Sequence, residues 1–148
     1  MRGPRAGSRY GTGGNMITAR TAQHVLAVAA DRAATVGVPV NIAVLDAGAH
    51  LKAFIRMDGA VLGSIDVAMR KARTAVLFET TSEAVWDYCK PGAPAHALEL
   101  TNGGLAPFAG GIPLKGPNGE TLGAVGISGG TVSQDLEIAQ AAVEAFDP

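Results

Sequence analysis

The sequence predicts an α+β domain, an antiparallel sheet covered by helices. Three observations carry that prediction. Helical periodicity occupies both ends of the chain and a central stretch, two pairs of alternating apolar segments are joined by short turns, and the pieces follow the order helix, hairpin, helix, hairpin, helix.

The first helix runs from Ile17 to Val36. Ala22, Val25, Leu26, Ala29, Ala33 and Val36 fall on one stripe, with Thr18 as N-cap and Gly37 as the stop. Asn41 to Asp46 alternates, turns at Ala47-Gly48-Ala49 and returns as Leu51 to Arg56, a first hairpin. Met57-Asp58-Gly59 breaks the second strand, and Ser64 caps a helix that reaches about Phe78. Its core stripe is expected to be Ile65, Met69, Ala72 and Val76, with Asp66, Arg70, Arg73 and Thr74 on the opposite side. A short helix from Ser82 to Tyr88 ends before Pro91. Residues 89 to 111 hold three prolines and two glycine pairs and form a long loop with one helical turn, the kind of connection that often builds sites. Ile112 to Lys115, the turn Gly116-Pro117-Asn118-Gly119 and Thr121 to Ser128 make the second hairpin. Gly129-Gly130 then leads into a closing helix from about Ser133 to Phe146.

Length and charge exclude several classes of function. One domain of 148 residues can bury about two thirds of its unfolded surface. A formal charge of −1 and 5% aromatic residues offer neither a footprint for phosphate backbones nor a stacking platform for bases, so nucleic acid is not expected as a partner. No apolar run reaches the roughly 20 residues that span a bilayer and no signal-type apolar segment opens the chain, so no membrane is expected and the protein reads as cytoplasmic. The single cysteine, Cys89, rules out an internal disulfide and a multi-cysteine metal site. Residues 1–15 carry Arg2, Arg5 and Arg9 without apolar periodicity and are expected to be a disordered leader to one domain over 16–148. Without them nine cations face thirteen acids, a formal charge of −4.

Four places carry residues suited to chemistry. Lys71 lies on an apolar flank of the second helix among Ser64, Val67, Ala68, Ala75 and Phe78, where an ammonium is costly unless paired. It is either half of a structural ion pair, with Asp58 or Asp46 as the acid, or a pocket lysine that holds an anion or acts as base. Arg56 and Asp58 bracket the end of a strand, where a guanidinium can clamp a carboxylate and the acid can orient it or accept a proton; the alternative is a loop-fixing ion pair. Ser128-Gly129-Gly130 runs from a strand into the last helix and could offer backbone N–H groups to an anion, or be a plain glycine turn; it lacks the Lys-Ser/Thr of a phosphate loop. None of the histidines pairs at metal-ligand spacing. His24 faces away from the core stripe of its helix, His50 sits in a solvated hairpin turn and His96 lies in the long loop.

The chain resembles the GlcG/HbpS-like family, whose domain also forms the C-terminal half of PduO-type proteins. The resemblance rests on Val44-Leu45-Asp46-Ala47-Gly48 with Leu51; on Arg56-Met57-Asp58-Gly59-Ala60, Gly63-Ser64-Ile65-Asp66 and Lys71-Ala72-Arg73-Thr74-Ala75; on Gly110-Gly111-Ile112-Pro113-Leu114; and on Gly123 to Gly130 with Gln134-Asp135. It implies a profilin-like antiparallel sheet of about five strands and homo-oligomers from dimer to octamer. It also implies haem binding in some members, with a first-helix histidine whose counterpart here is His24. The ExxE pair that binds iron in one branch is replaced by Glu79 and Glu83 at ExxxE spacing.

Three functions follow from these readings. The first is a haem- or tetrapyrrole-binding protein, with or without haem degradation, in which His24 ligates iron and Arg56 or Lys71 meets the propionates. The second is a cofactor-free lyase, isomerase or hydrolase acting on a small organic acid or carbonyl compound, with Lys71 or Asp58 as base and Arg56, Ser128, Gly129 and Gly130 binding the ligand. The third is a non-catalytic oligomeric partner of another enzyme.

Overall fold

The computed structural model describes residues 16–148; the expected leader over 1–15 lies outside the described residues. Its elements are α1 (Ala19–Val36), β1 (Asn41–Asp46), β2 (Leu51–Arg56), α2 (Ser64–Phe78), α3 (Ser82–Cys89), a 3-10 turn at Leu98–Leu100, β3 (Gly111–Lys115), β4 (Thr121–Ser128) and α4 (Val132–Glu144). The strands pair in the order β2-β1-β4-β3, all antiparallel, so the two hairpins join through their inner strands. The α+β class stands, with four strands among the described residues where about five were expected. The stretch long enough to add another is the connection from α3 to β3, and Pro91, Pro94 and Pro107 cannot donate to a ladder.

Period-two alternation sends β1 and β4 side chains to two different cores. Ile42, Val44, Leu122, Val125 and Ile127 face α1 and α4 and pack with Val25, Ala29, Ala33, Ile138 and Ala142. Ala43, Leu45 and Ala124 face α2, against Ala72, Ala75 and Val76. The second face is lined by small residues, so α2 lies almost on the sheet. A Cβ on Gly126 would stand 2.0 Å from the Ala68 carbonyl oxygen, and one on Gly111 2.2 Å from the Lys71 carbonyl oxygen.

That close approach changes which side of α2 is buried. Ser64, Ala68, Lys71, Ala72 and Ala75 are buried, while the bulkier Ile65 and Met69 are displaced to a half-buried edge. Thr74, expected on the polar side, is also buried: its hydroxyl donates to the Arg70 carbonyl at 2.7 Å and accepts from the Ala106 N–H at 3.0 Å, holding the long loop down. Ser64 is the first residue of α2 and not its cap. The N-cap position is Gly63, and the Ser64 hydroxyl donates to the Val61 carbonyl and accepts from Asn41 Nδ2 at 2.9 Å.

The other helix ends follow the local sequence closely. Thr18 accepts from the Thr21 N–H, and Gly37 closes α1 at φ +86°, a conformation that favours glycine. Thr131 and Gln134 form a reciprocal capping box on α4. No helix of the described residues is long and apolar enough to cross a membrane.

Candidate functional site

Lys71 is the largest fully buried side chain among the described residues, and its surroundings are polar. Nζ donates to Asp135 Oδ2 at 2.8 Å and to the Ile127 carbonyl at 2.9 Å, and stands 5.1 Å from the centre of the Phe108 ring. The carbonyl is available because of the sheet's edge. The Ile127 N–H donates to the Gly110 carbonyl, and in an antiparallel strand N–H and C=O of one residue point the same way. Gly110 leaves the strand at φ +127°, so Lys71 supplies the donor that β3 no longer provides. Burial pulls the ammonium below its ordinary value, and the hydrogen bond and charge of Asp135 oppose that shift. The result is a buried ion pair tying α2 on one face of the sheet to α4 on the other.

Asp135 is the residue that sequence reasoning missed as the partner. Its signal lay in the chain: Asp135, Ile138, Ala139 and Ala142 form one helical stripe, which places an acid on the core face of α4. Its second oxygen, Oδ1, accepts from the Gly130 N–H at 2.9 Å. The Thr131 N–H donates to Gln134 Oε1 at 2.9 Å, and the Gln134 N–H donates to Thr131 Oγ1. The start of α4 after Ser128-Gly129-Gly130 is therefore occupied by an internal carboxylate and its own capping box, with Gly129 at φ +137° setting the turn.

Arg56, Asp58 and Lys71 are not gathered into one cluster. Arg56 pairs with Asn41, and Asn41 with Ser128, in one row across three strands. At about 4.8 Å per strand, Arg56 stands roughly 10 Å from Ser128, with Lys71 beyond it on the β3 side. Arg56 and Asp58 are both exposed. Between them and Ser128 lies the buried Asn41, whose Nδ2 is held by Val61 and Ser64 while Oδ1 has no partner.

His24 is exposed on α1, away from the core, and its imidazole makes no hydrogen bond or ion pair among the described residues. Arg20 precedes it by one turn, and the exposed Ala27 and half-buried Val28 follow by one turn. An imidazole with a guanidinium on one side and small side chains on the other suits a flat, carboxylate-bearing ligand that coordinates through a metal. The chemistry of this donor set fits haem. His96 is exposed in the long loop. Cys89 is buried, and burial first and the Glu99 carboxylate second push its thiol up, which disfavours the thiolate as a ligand. Among the described residues no group of three or more His, Cys, Asp or Glu is arranged to hold a metal ion.

Comparison with known proteins agrees with this architecture. A family model described as haem degrading protein HbpS-like matches residues 17–144. A 15.0 kDa protein of the dhaT-dhaS intergenic region of Citrobacter freundii is 37% identical over 131 residues, covering 88% of this chain and 92% of that one. The corrinoid adenosyltransferase PduO of Salmonella typhimurium is 38% identical over 120 residues, which are 80% of this chain and 35% of PduO, so the likeness spans about a third of that protein. The crystal structure of a PduOC–haem complex superposes with a TM-score of 0.85 at 34% identity, over 89% of this chain and 96% of the other.

Proposed function

The chain belongs to the haem degrading protein HbpS-like family, and from that premise we propose that it is a haem-binding protein in which His24 ligates the iron. The observation that carries the reading is the exposed imidazole of His24, without a partner among the described residues, on a structurally matched fold whose relative PduOC was crystallised with haem. Bound haem supplies an iron centre whose ligand and surroundings set its redox behaviour. Arg20, one turn before His24, would pair with a propionate in place of the Arg56 or Lys71 expected from the sequence, since Lys71 is held by Asp135. Ala27 on the next turn leaves the macrocycle room to approach the helix.

The outer face of α1 is open to water, and a second copy laid over it would shield the ring. A homo-oligomer, from dimer to octamer, is therefore part of the proposal, as is a cytoplasmic location. The lysine-based enzyme is not included, because the Lys71 ammonium is already held by Asp135 and Ile127.

Titration of the protein with haemin, followed at the Soret band, tests the reading. Wild-type protein is expected to saturate, His24→Ala to lose at least about tenfold in affinity, equivalent to about 1.4 kcal/mol, and Arg20→Ala to lose a smaller factor. Because both residues are exposed, thermal melting of the two variants should match wild type. An unchanged titration in His24→Ala would remove His24 from the account, and absence of saturable binding by wild type would remove haem.

A further inference from the structure

Two β-bulges turn their extra residues toward the same end of the sheet, opposite the end that holds Lys71. On β2 the register passes from Val44 with Ala53 to Leu45 with Leu51, which leaves Lys52 as the extra residue. On β4 it passes from Leu114 with Gly123 to Lys115 with Thr121, which leaves Leu122. A bulge breaks period-two alternation and re-aims one side chain, and bulges are over-represented beside binding sites. Lys52 and Leu122 line one recess of about 540 Å³ with Ile17, Asp46, Gly48 and His50. That volume is in the range of small-molecule sites.

The recess has an apolar floor and a polar rim that carries the Lys52 ammonium, the His50 ring and the Asp46 carboxylate. Ile17 and Leu122 are 3% and 6% exposed. Ile17 lies against the sheet because Gly123 has no side chain: a Cβ there would stand 2.5 Å from Ile17 Cδ1. At the rim, Asp46 Oδ1 accepts from the backbone N–H groups of Gly48 and His50 at 2.9 and 3.0 Å, so this acid is engaged in the turn. The His50 ring folds back over Gly48, with Cδ2 2.9 Å from where a Cβ would stand. Among the described residues the Lys52 ammonium has no ion-pair partner.

We propose that this recess is a binding site for a small organic acid with an apolar body. The carboxylate meets the Lys52 ammonium and the His50 imidazole, and the hydrocarbon part lies on Ile17 and Leu122. An acid is favoured over an amine because Asp46 Oδ1 already accepts two backbone hydrogen bonds, which leaves Oδ2 alone to meet an ammonium, whereas the Lys52 ammonium has no ion-pair partner among the described residues. The site is separate from the proposed haem ligand His24 and does not depend on it.

Hexanoate is the probe, with 1-hexanol and hexylamine as matched controls, followed by amide chemical shifts of the apo protein. For a ligand of this size a dissociation constant of roughly millimolar order is expected. Saturable shifts should centre on residues 46–52 and 122–123, with affinity at least about tenfold lower in Lys52→Met, a few-fold lower in His50→Ala and unchanged in Lys90→Met. Lys52, His50 and Lys90 are exposed, so these variants should fold. Equal binding of hexylamine or hexanol, wild-type affinity in Lys52→Met, or no localised saturable shift with hexanoate would each overturn the proposal.

Discussion

Replacing Lys71 with Met is expected to destabilise the fold by about 3–5 kcal/mol at pH 7, a fraction large enough to leave the variant marginally stable. The substitution keeps the volume of the side chain and removes the ammonium, so the Asp135 carboxylate is left 2% exposed with the Gly130 N–H as its remaining partner, and the Ile127 carbonyl loses its donor. Much of the loss is the cost of an uncompensated buried charge. The double variant Lys71→Met/Asp135→Leu should therefore recover a large part of it, although the Gly130 N–H then goes unpaired. Urea unfolding of wild type, the two single variants and the double variant closes the cycle; a Lys71→Met midpoint equal to wild type would show that the ion pair does not hold the two helical layers together. The pH dependence has a definite sign. Since burial lowers the Lys71 value in the folded state below its ordinary 10.5, the unfolded chain binds more protons between those two values, and the stability this group contributes rises with pH across that window. Lys71→Met lacks that rise.

The fold was largely legible because its elements are locally consistent. The α1 stripe, its Thr18 cap and Gly37 stop, and both hairpins each match a local rule, and the structure follows them. The local wheel of α2 was less informative. It centres the core stripe on Ile65, Met69, Ala72 and Val76, but the facing strands carry Ala43, Ala124 and Gly126, and small residues on both sides let Ala68 and Ala72 approach first. Which face is buried depended on the partner surface, a long-range property. Lys71 was recognised as a charge on an apolar flank, and an ion pair was one of its two readings. The acid is not Asp58 or Asp46 but Asp135, which lies 64 residues away and meets Lys71 only after α2 and α4 have covered opposite faces. The recess at the other end depended on two register slips, which leave no compositional trace in strands as short as these.

The closeness of α2 to the sheet gives the second large effect, and it is expected to separate two glycines that look alike by distance. A methyl group on Gly126 would stand 2.0 Å from the Ala68 carbonyl oxygen, 2.7 Å from the Ala72 nitrogen and 2.9 Å from the Ala72 Cβ; one on Gly116 would stand 2.2 Å from Glu120 Oε1 and 2.4 Å from Glu120 Cδ. The intrusions are similar in size and differ in what must yield. At Gly116 the obstacle is the end of a flexible carboxylate side chain, which can rotate aside, so Gly116→Ala should cost less than about 1 kcal/mol. At Gly126 it is helix backbone. Moving it displaces α2 as a whole, and with it the Lys71 side chain that reaches Asp135 and Ile127, so Gly126→Ala should cost about 3 kcal/mol or more. Truncating a neighbour would not relieve the clash, since Ala72→Gly removes the Cβ at 2.9 Å and leaves the carbonyl at 2.0 Å. Gly126→Ala/Ala72→Gly is thus expected to be no more stable than Gly126→Ala alone. Thermal melting of the three variants and Gly116→Ala measures the contrast, and a Gly126→Ala protein that melts with wild type would mean that the helix can ride further from the sheet at little cost.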